Sequence, residues 1–224
     1  MSRQILFIFL LFSAFSFSQE LNFEAPNYKK IQKNIEDKNS EFYYPNLLKK
    51  LKENDSLITP EQYRHLYYGY TFQKEYNPYK TSENEKLLSK YFQAADLKKS
   101  DYAEIIKISK AALEEFPMNL RVMNFLGYVY HLDGNEDMAK KTSINFHGLF
   151  EAFLKSGDGL DCKTAFHVIS VSHEYVLLNM FQLENVSQSL QGKCDYMDFE
   201  KGKYKINGLY FDISKLQEKG FGFN

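Results

Sequence analysis

The stretch Lys86–Phe150 constrains the fold most, because its small and aromatic residues follow the spacing of a tetratricopeptide repeat. Such a repeat has about 34 residues in two helices that cross at small side chains. Gly127 and Tyr130 fit the first helix of one unit, and Ala139 falls where the second helix must be small. Pro117 ends the preceding unit, since proline cannot continue a helix. We therefore predict two helical hairpins here.

The repeat pattern is incomplete. Gln93 stands where the first unit should have glycine, and Ile105 stands where it should have alanine. The alternative is a pair of ordinary amphipathic hairpins. Repeats are usually stable only in stacks of three or more, so flanking segments must cap this pair on both sides.

Further helices precede the hairpins. Apolar residues at helical spacing predict helices over residues 28–37, 45–53 and 60–76. Asn27 is a candidate N-cap of the first helix. Thr59, Pro60 and Gln62 form a capping-box sequence with proline at the first helical position of the third.

After Gly157–Gly159 the apolar pattern changes from helical spacing to alternation. Strands are predicted over residues 164–172, 196–199, 203–206 and 208–213, and residues 175–181 form another apolar run. We predict an α+β fold with an N-terminal tetratricopeptide-like array of helical hairpins and a small C-terminal antiparallel β-sheet packed on its end. The predicted divisions are a signal peptide (1–18), a helical-hairpin region (19–156), a β region (157–216) and a loose tail (217–224).

The N-terminus predicts export. Arg3 precedes an apolar run, Ile5–Phe17, of about 13 residues, which is shorter than a bilayer span. Ser16 and Ser18 suit cleavage before Gln19. We expect a periplasmic or secreted protein that is not a lipoprotein, because no cysteine follows the run. No second apolar run predicts a transmembrane segment in the mature chain. The alternative is an uncleaved anchor.

Composition and motifs exclude several classes of function. A net charge of −1 gives no electrostatic footprint for nucleic acid. Motifs for a catalytic serine elbow, a zinc protease, a phosphate loop or a dinucleotide site are absent, and we expect no metal and no cofactor. Cys162 and Cys194 are candidates for a disulfide, which would close a loop of about 33 residues. The alternative is a pair of buried free thiols.

The helix predicted over residues 60–76 is rich in tyrosine, a residue suited to interfaces. We take it as the candidate binding surface for a protein or peptide, with Arg64 and His65 anchoring a carboxylate. The candidate binding residues are Arg64, His65, Tyr67, Tyr68, Tyr70 and Tyr79. The alternative is that these rings are helix–helix core.

Three functions remain open on the sequence alone. The first is an exported protein or peptide interaction module. The second is an envelope-associated hydrolase, which predicts a pocket where His65 or His131 meets a carboxylate such as Glu61 or Asp133. The third is a purely structural protein that maintains the envelope.

Several segments together resemble a family of secreted proteins of about this length, known only as a domain of unknown function. They are Phe42–Pro45, Tyr63–Tyr70, Asn77–Tyr79, Gly157–Gly159, Ala165–Val171, Glu174–Tyr175 and Leu209–Phe211. The run Arg-His-Leu-Tyr-Tyr-Gly at residues 64–69 is the most specific of them. The resemblance implies export and one integrated domain, and it implies no activity and no site residues.

Overall fold

The computed structural model describes residues 23–80, 82–94 and 96–220. The predicted signal peptide (1–18) and residues 221–224 of the predicted tail lie outside these ranges. Within these ranges seven helices come first: α1 (Tyr28–Glu36), α2 (Tyr44–Lys52), α3 (Pro60–Gly69), α4 (Glu83–Phe92), α5 (Tyr102–Glu115), α6 (Leu120–Leu132) and α7 (Glu136–Leu154). Short 3₁₀ helices, Tyr70–Phe72 and Lys99–Asp101, follow α3 and precede α5. The remaining elements are β1 (Phe166–His167), α8 (Val171–Met180), β2 (Asn185–Gln191), β3 (Cys194–Phe199), β4 (Gly208–Asp212) and α9 (Ser214–Gln217).

The predicted α+β class is confirmed, with a helical part followed by a sheet that contains all four strands of the described residues.

Side-chain caps explain where helices α1 and α3 begin. The side chain of Asn27 accepts a hydrogen bond from the backbone N–H of Lys30. Thr59 and Gln62 exchange both bonds of a capping box, which satisfies two backbone donors at the start of α3.

Helices α4 to α7 pack in sequence order, each against the next. At the α6–α7 contact a Cβ added to Gly127 would lie 3.8 Å from the backbone oxygen of Ala139 and 3.7 Å from a methyl carbon of Thr142. The two helices therefore approach closely at the small residues that the sequence places there.

The sheet is mixed, which corrects the prediction of an antiparallel sheet. Its strand order is β1-β4-β3-β2, and β3 pairs antiparallel with both β2 and β4. At the other edge β1 pairs parallel with β4, with Phe166 opposite Phe211. A parallel pair needs a long crossover connection, and here the chain between β1 and β4 supplies α8, β2 and β3.

Other strand predictions were wrong in detail. The strand predicted over residues 164–172 is limited to Phe166–His167, and the apolar run over 175–181 belongs mostly to helix α8. Ser170 caps that helix by accepting a hydrogen bond from the backbone N–H of Ser172. Residues 203–206 lie in turns and bends between β3 and β4, and β2 was not predicted.

One hydrophobic core connects the first helices with the sheet. It runs from α1, α2 and α3 through α7 and α8 to β3, β4 and α9. A smaller core lies among α4, α5 and α6. Cys162 and Cys194 form a disulfide, with an S–S distance of 2.03 Å, which ties the loop after α7 to the first residue of β3.

Candidate functional site

Helix α3 is buried on every side, because α1, α2 and α7 all pack against it. Its residues from Gln62 to Gly69 are all buried. At Gly69 an added Cβ would lie 3.2 Å from side-chain carbons of both Ile35 and Tyr44. The absence of a side chain at Gly69 therefore allows these two residues to pack directly against the backbone of α3. The tyrosines of α3 therefore point into the protein.

Tyr67 joins a buried aromatic and polar network. Its hydroxyl lies 2.7 Å from Nδ1 of His173, and Nε2 of His173 lies 3.0 Å from the backbone oxygen of Met118. The imidazole is stacked on the rings of Phe116 and Phe153. Burial lowers the pKa of His173 to about 3, so the ring is neutral at ordinary pH. A carbonyl oxygen only accepts, so Nε2 carries the proton and Nδ1 accepts from the tyrosine.

The other candidate tyrosines also have their contacts inside the protein. The hydroxyl of Tyr68 lies 3.3 Å from the backbone oxygens of both Ala152 and His167. Tyr70 is buried, and the hydroxyl of Tyr79 donates to the backbone oxygen of Leu216 at 3.1 Å. The rings of Tyr67, Tyr68 and Tyr70 are at most 5% exposed, so they do not form a solvent-facing surface.

His65 is held entirely by internal contacts. Its ring stacks on Phe42 with centroids 3.9 Å apart. Nδ1 lies 2.9 Å from the backbone oxygen of Glu61 and Nε2 lies 3.0 Å from the amide nitrogen of Asn34. Burial lowers its pKa, although the Glu61 carbonyl and charge oppose that shift. Both ring nitrogens are thus occupied, which leaves neither for a substrate.

A groove of about 540 Å³ lies between α3 and α7, and Arg64 of α3 is one of its lining residues. Its lining residues are Glu24, Ile58, Pro60, Glu61, Tyr63, Arg64, Lys140, Ser143, Ile144, His147, Gly148, Glu151, Ala152 and Lys155. The floor forms where α7 meets α3 at Gly148, because a Cβ there would lie 2.3 Å from the ring of Tyr63. The hydroxyl of Tyr63 donates to Oδ1 of Asn145 at 2.7 Å and fixes the ring.

Arg64 is the unusual residue of this groove. Its side chain is buried, with only 9% exposure, and its Nη2 donates to the backbone oxygen of Glu24 at 2.6 Å. The guanidinium carbon lies 5.4 Å from the ring centroid of Tyr68. No carboxylate of the described residues forms an ion pair with it. A guanidinium has five N–H donors, and Arg64 uses one of them in a hydrogen bond within the described residues.

The other charged residues that line the groove carry both signs: Glu24, Glu61 and Glu151 are acidic, and Lys140 and Lys155 are basic. Lys155 pairs with Glu151 at 2.6 Å. The backbone N–H of Glu24 donates to the backbone oxygen of Lys155 at 3.0 Å, which pins the chain before α1 beside the groove. Arg64 is therefore a buried positive charge next to a roughly neutral rim. Such a site favours a ligand with a single carboxylate over a polyanion.

The histidines do not form the pocket that a hydrolase would need. His65 meets Glu61, as that alternative requires, but the ring is 1% exposed and fully bonded. His131 pairs with Glu136 at 2.8 Å rather than with Asp133, and both partners are more than 60% exposed.

A second polar cluster, which sequence reasoning missed, lies between α8 and the sheet. Glu174 is fully buried, and Nε2 of Gln188 lies 3.4 Å from its Oε2 and 2.8 Å from Oδ2 of Asp195. Oε1 of Glu174 has no hydrogen-bond partner in the described part of the chain. Burial, and next the charge of Asp195, raises the pKa of Glu174 well above its usual value. The charged form of Glu174 is therefore disfavoured, and no solvent reaches the side chain.

A third cluster gathers around Asp212 at the end of β4. Its Oδ2 lies 2.6 Å from Nζ of Lys193, and its Oδ1 accepts from the hydroxyl of Ser214 at 2.6 Å. Burial alone would raise the pKa of Asp212, but Lys193 and Ser214 lower it below its ordinary value. The serine hydroxyl donates to the carboxylate and not to His167, so the group is not a nucleophile–base relay.

The described residues contain no group of three or more His, Cys, Asp or Glu side chains that could hold a metal ion. Within the same ranges, no helix combines the length and the apolar character that crossing a bilayer requires.

Comparisons with known proteins give one result. A family model described as Domain of unknown function (DUF4919) matches residues 29–220, which confirms the predicted resemblance to a family of unknown function. No curated protein matches the chain. No solved structure matches it.

Proposed function

We propose that this chain, which belongs to the DUF4919 family, is an exported binding module that holds a peptide carboxylate on Arg64 in the groove between α3 and α7. The main support is that Arg64 is a buried cation without a carboxylate partner among the described residues. A buried charge without an ionic partner is costly unless something compensates it. Within the described residues only the carbonyl of Glu24 and the ring of Tyr68 do so.

The chemistry of the groove supports a peptide more than a highly charged ligand. Apolar walls come from Ile58, Pro60 and Ile144, which suits aliphatic side chains and peptide backbone. Lys140, His147 and Glu61 line the same groove, where a peptide's polar groups would find partners. A volume of about 540 Å³ lies within the ordinary range for ligand pockets and accommodates a short segment of chain.

The helical hairpins α4–α5 and α6–α7 would then act as a tetratricopeptide-like support for α7. The close approach at Gly127 and the order of packing are consistent with that role. Export rests on the apolar run at residues 5–17. A periplasmic or secreted location would bring the groove into contact with extracytoplasmic peptides.

The location of binding can be tested by NMR. We would titrate ¹⁵N-labelled protein with a randomised pool of N-acetylated tetrapeptides that carry a free C-terminal carboxylate. We expect the amide signal of Gly148, in the groove floor, to be among those that shift most. Loss of these shifts in the Arg64→Gln variant, with retention in Arg121→Gln, would support the proposal.

Arg121 is a suitable matched control. It is exposed, lies 4.2 Å from the ring centroid of Phe92, and is outside the groove. If the pool shifts signals elsewhere but leaves Gly148 and its neighbours unchanged, the groove is not the binding site. If nothing shifts at millimolar peptide, the binding function is contradicted.

A further inference from the structure

Strand β2 forms one edge of the sheet and is its most exposed strand. Only its inner side is paired, with β3, from Asn185 opposite Phe199 to Gln191 opposite Cys194. No backbone hydrogen bond joins its outer side to any other part of the described chain. The outer side therefore presents a row of unpaired N–H and C=O groups, which is a template for another strand.

The sequence of β2 lacks most of the features by which edge strands avoid pairing. Asn185-Val186-Ser187-Gln188-Ser189-Leu190-Gln191 contains no charged residue, no proline and no glycine. Charged side chains and proline are the usual protection of an exposed edge. The one irregularity is a bulge between Asn185 and Ser187, at the start of the strand, which leaves residues 187–191 in regular register.

Apolar side chains accompany these unpaired backbone groups. Val186 is 63% exposed and Leu190 is 53% exposed, while Tyr175 on the neighbouring helix α8 is 41% exposed. Gln188 reaches Asp195 and Tyr175 on the α8 side of the sheet. Leu190 lies two residues on and so shares that side. The layer of side chains between α8 and the sheet thus extends onto β2, where no other part of the described chain covers it.

The strand is close to a palindrome in chemical terms. Counting outward from Gln188, the two neighbours are Ser187 and Ser189, the next two are apolar Val186 and Leu190, and the outer two are the amides Asn185 and Gln191. A two-fold interface must be complementary to itself, since the same patch contributes from both sides. An antiparallel strand pair centred on Gln188 satisfies this condition, with Ser187 opposite Ser189 in the regular part of the strand and the bulge residue Val186 on the side of Leu190.

We propose that β2 is a dimerisation edge, on which a second copy of this chain adds its own β2 antiparallel, with Gln188 opposite Gln188 of the second copy. Val186, the bulge residue, then lies near Leu190 of the second copy, and the two apolar side chains shield each other from water. The four-stranded sheets of the two copies join into one continuous sheet of eight strands. The contact is small, so the dimer is weak and concentration-dependent. The residues of this edge are separate from those that line the peptide groove.

Light scattering coupled to size exclusion tests the dimer with the mature, disulfide-bonded protein. We expect the apparent mass to rise from monomer toward dimer as concentration increases to about 0.5 mM. The variant with both Val186→Lys and Leu190→Lys should stay monomeric, because it places like charges along the edge. The matched control is Leu57→Lys, at a residue that is 79% exposed and distant in sequence from the sheet, which should dimerise as the wild type does.

Cysteine cross-linking tests the register. Opposite Cα atoms of antiparallel strands lie about 4.5–5.5 Å apart, within the span of a disulfide. Gln188→Cys should therefore form a covalent dimer on mild oxidation. Ser189→Cys should not, because Ser189 lies opposite Ser187 of the second copy and not opposite itself. A wild type that stays monomeric at about 0.5 mM, a dimer that survives the lysine variant, or equal cross-linking of both cysteine variants would overturn the proposal.

Discussion

The hydroxyl of Tyr67 lies 2.7 Å from Nδ1 of His173, and this hydrogen bond joins α3 to α8 inside the core. Tyr67 and His173 are both fully buried. Because the imidazole also bonds the backbone oxygen of Met118, the chain between α5 and α6 is tied to the same point. Three distant parts of the sequence are thus held by two side chains.

We expect Tyr67→Phe to destabilise the protein by about 1–3 kcal/mol, because it leaves Nδ1 of His173 buried without a donor while the ring packing is kept. The measurement is the free energy of unfolding in urea. Tyr128→Phe is the control, since Tyr128 is 54% exposed, and it should change stability by less than about 0.5 kcal/mol. Equal effects of the two substitutions would contradict the assigned role of the bond.

His173 should make the stability of the folded protein depend on pH in the acid range. Its pKa falls from 6.5 in the unfolded chain to about 3 in the folded one. Between these values only the unfolded chain binds the proton, so stability present above pH 6.5 is lost as pH falls toward 3, by about 1.4 kcal/mol per pH unit. Burial lowers the pKa values of His65 and His167 in the same direction.

NMR of the imidazole checks this directly. We expect the ring of His173 to remain neutral, with the proton on Nε2, throughout the range in which the protein stays folded. A titration midpoint near 6.5 in the folded protein would show that the ring is solvated and that the buried network does not exist.

Glu174 should affect stability with the opposite sign. Its pKa is raised well above 4.5 in the folded protein, so the unfolded chain releases a proton that the folded chain keeps. Stability therefore falls as pH rises above about 4.5. Glu174→Gln removes the ionisation, and we expect its stability relative to wild type to increase from about pH 5 to about pH 8. A difference that stays constant over this range would contradict the assignment.

Two helix glycines form a matched pair for testing the groove floor. At Gly148 of α7 an added Cβ would lie 2.3 Å from the ring of Tyr63, whereas at Gly127 of α6 the nearest atom would be 3.7 Å away. We expect Gly148→Ala to cost about 1–3 kcal/mol through overpacking. Gly127→Ala should be neutral or should stabilise by up to about 1 kcal/mol, because alanine favours helix. The measurement is the free energy of unfolding of both variants, by heat or urea. Equal effects of the two substitutions would contradict the close contact between Gly148 and the ring of Tyr63.

The helical part could be predicted well because its signals are local. Asn27 and Thr59 are side-chain caps that act within three residues, and the observed helices begin next to them. The C-terminal part could not, because its pairing is between distant residues. Strand β2 is polar and exposed along nearly its whole length, so it has no apolar alternation to detect. Residues 164–172 alternate and so were predicted as a strand, and residues 175–181 are an apolar run without a helical spacing, although most of that run lies in α8.

The candidate site, too, could be predicted only where the signal is local in the sequence. That Arg64 lies on a helix with aromatic neighbours followed from the sequence. Its exposure and its partners depend on the carbonyl of Glu24 and on the distance between α3 and α7, which no local pattern encodes. The tyrosines of α3 suggested a surface by their chemical type, yet the packing of α1, α2 and α7 around the helix places them inside.

The most direct test of the central claim is a calorimetric cycle on Arg64. A tetrapeptide selected from the pool would be measured as free acid and as C-terminal amide, against wild type and Arg64→Gln. We predict that the wild type binds the acid about 30-fold or more tightly than the amide, because a desolvated charge pair contributes about 2 kcal/mol or more. Arg64→Gln should bind both forms equally weakly. If wild type binds acid and amide alike, or if Arg64→Gln keeps the preference for the acid, Arg64 does not hold the carboxylate.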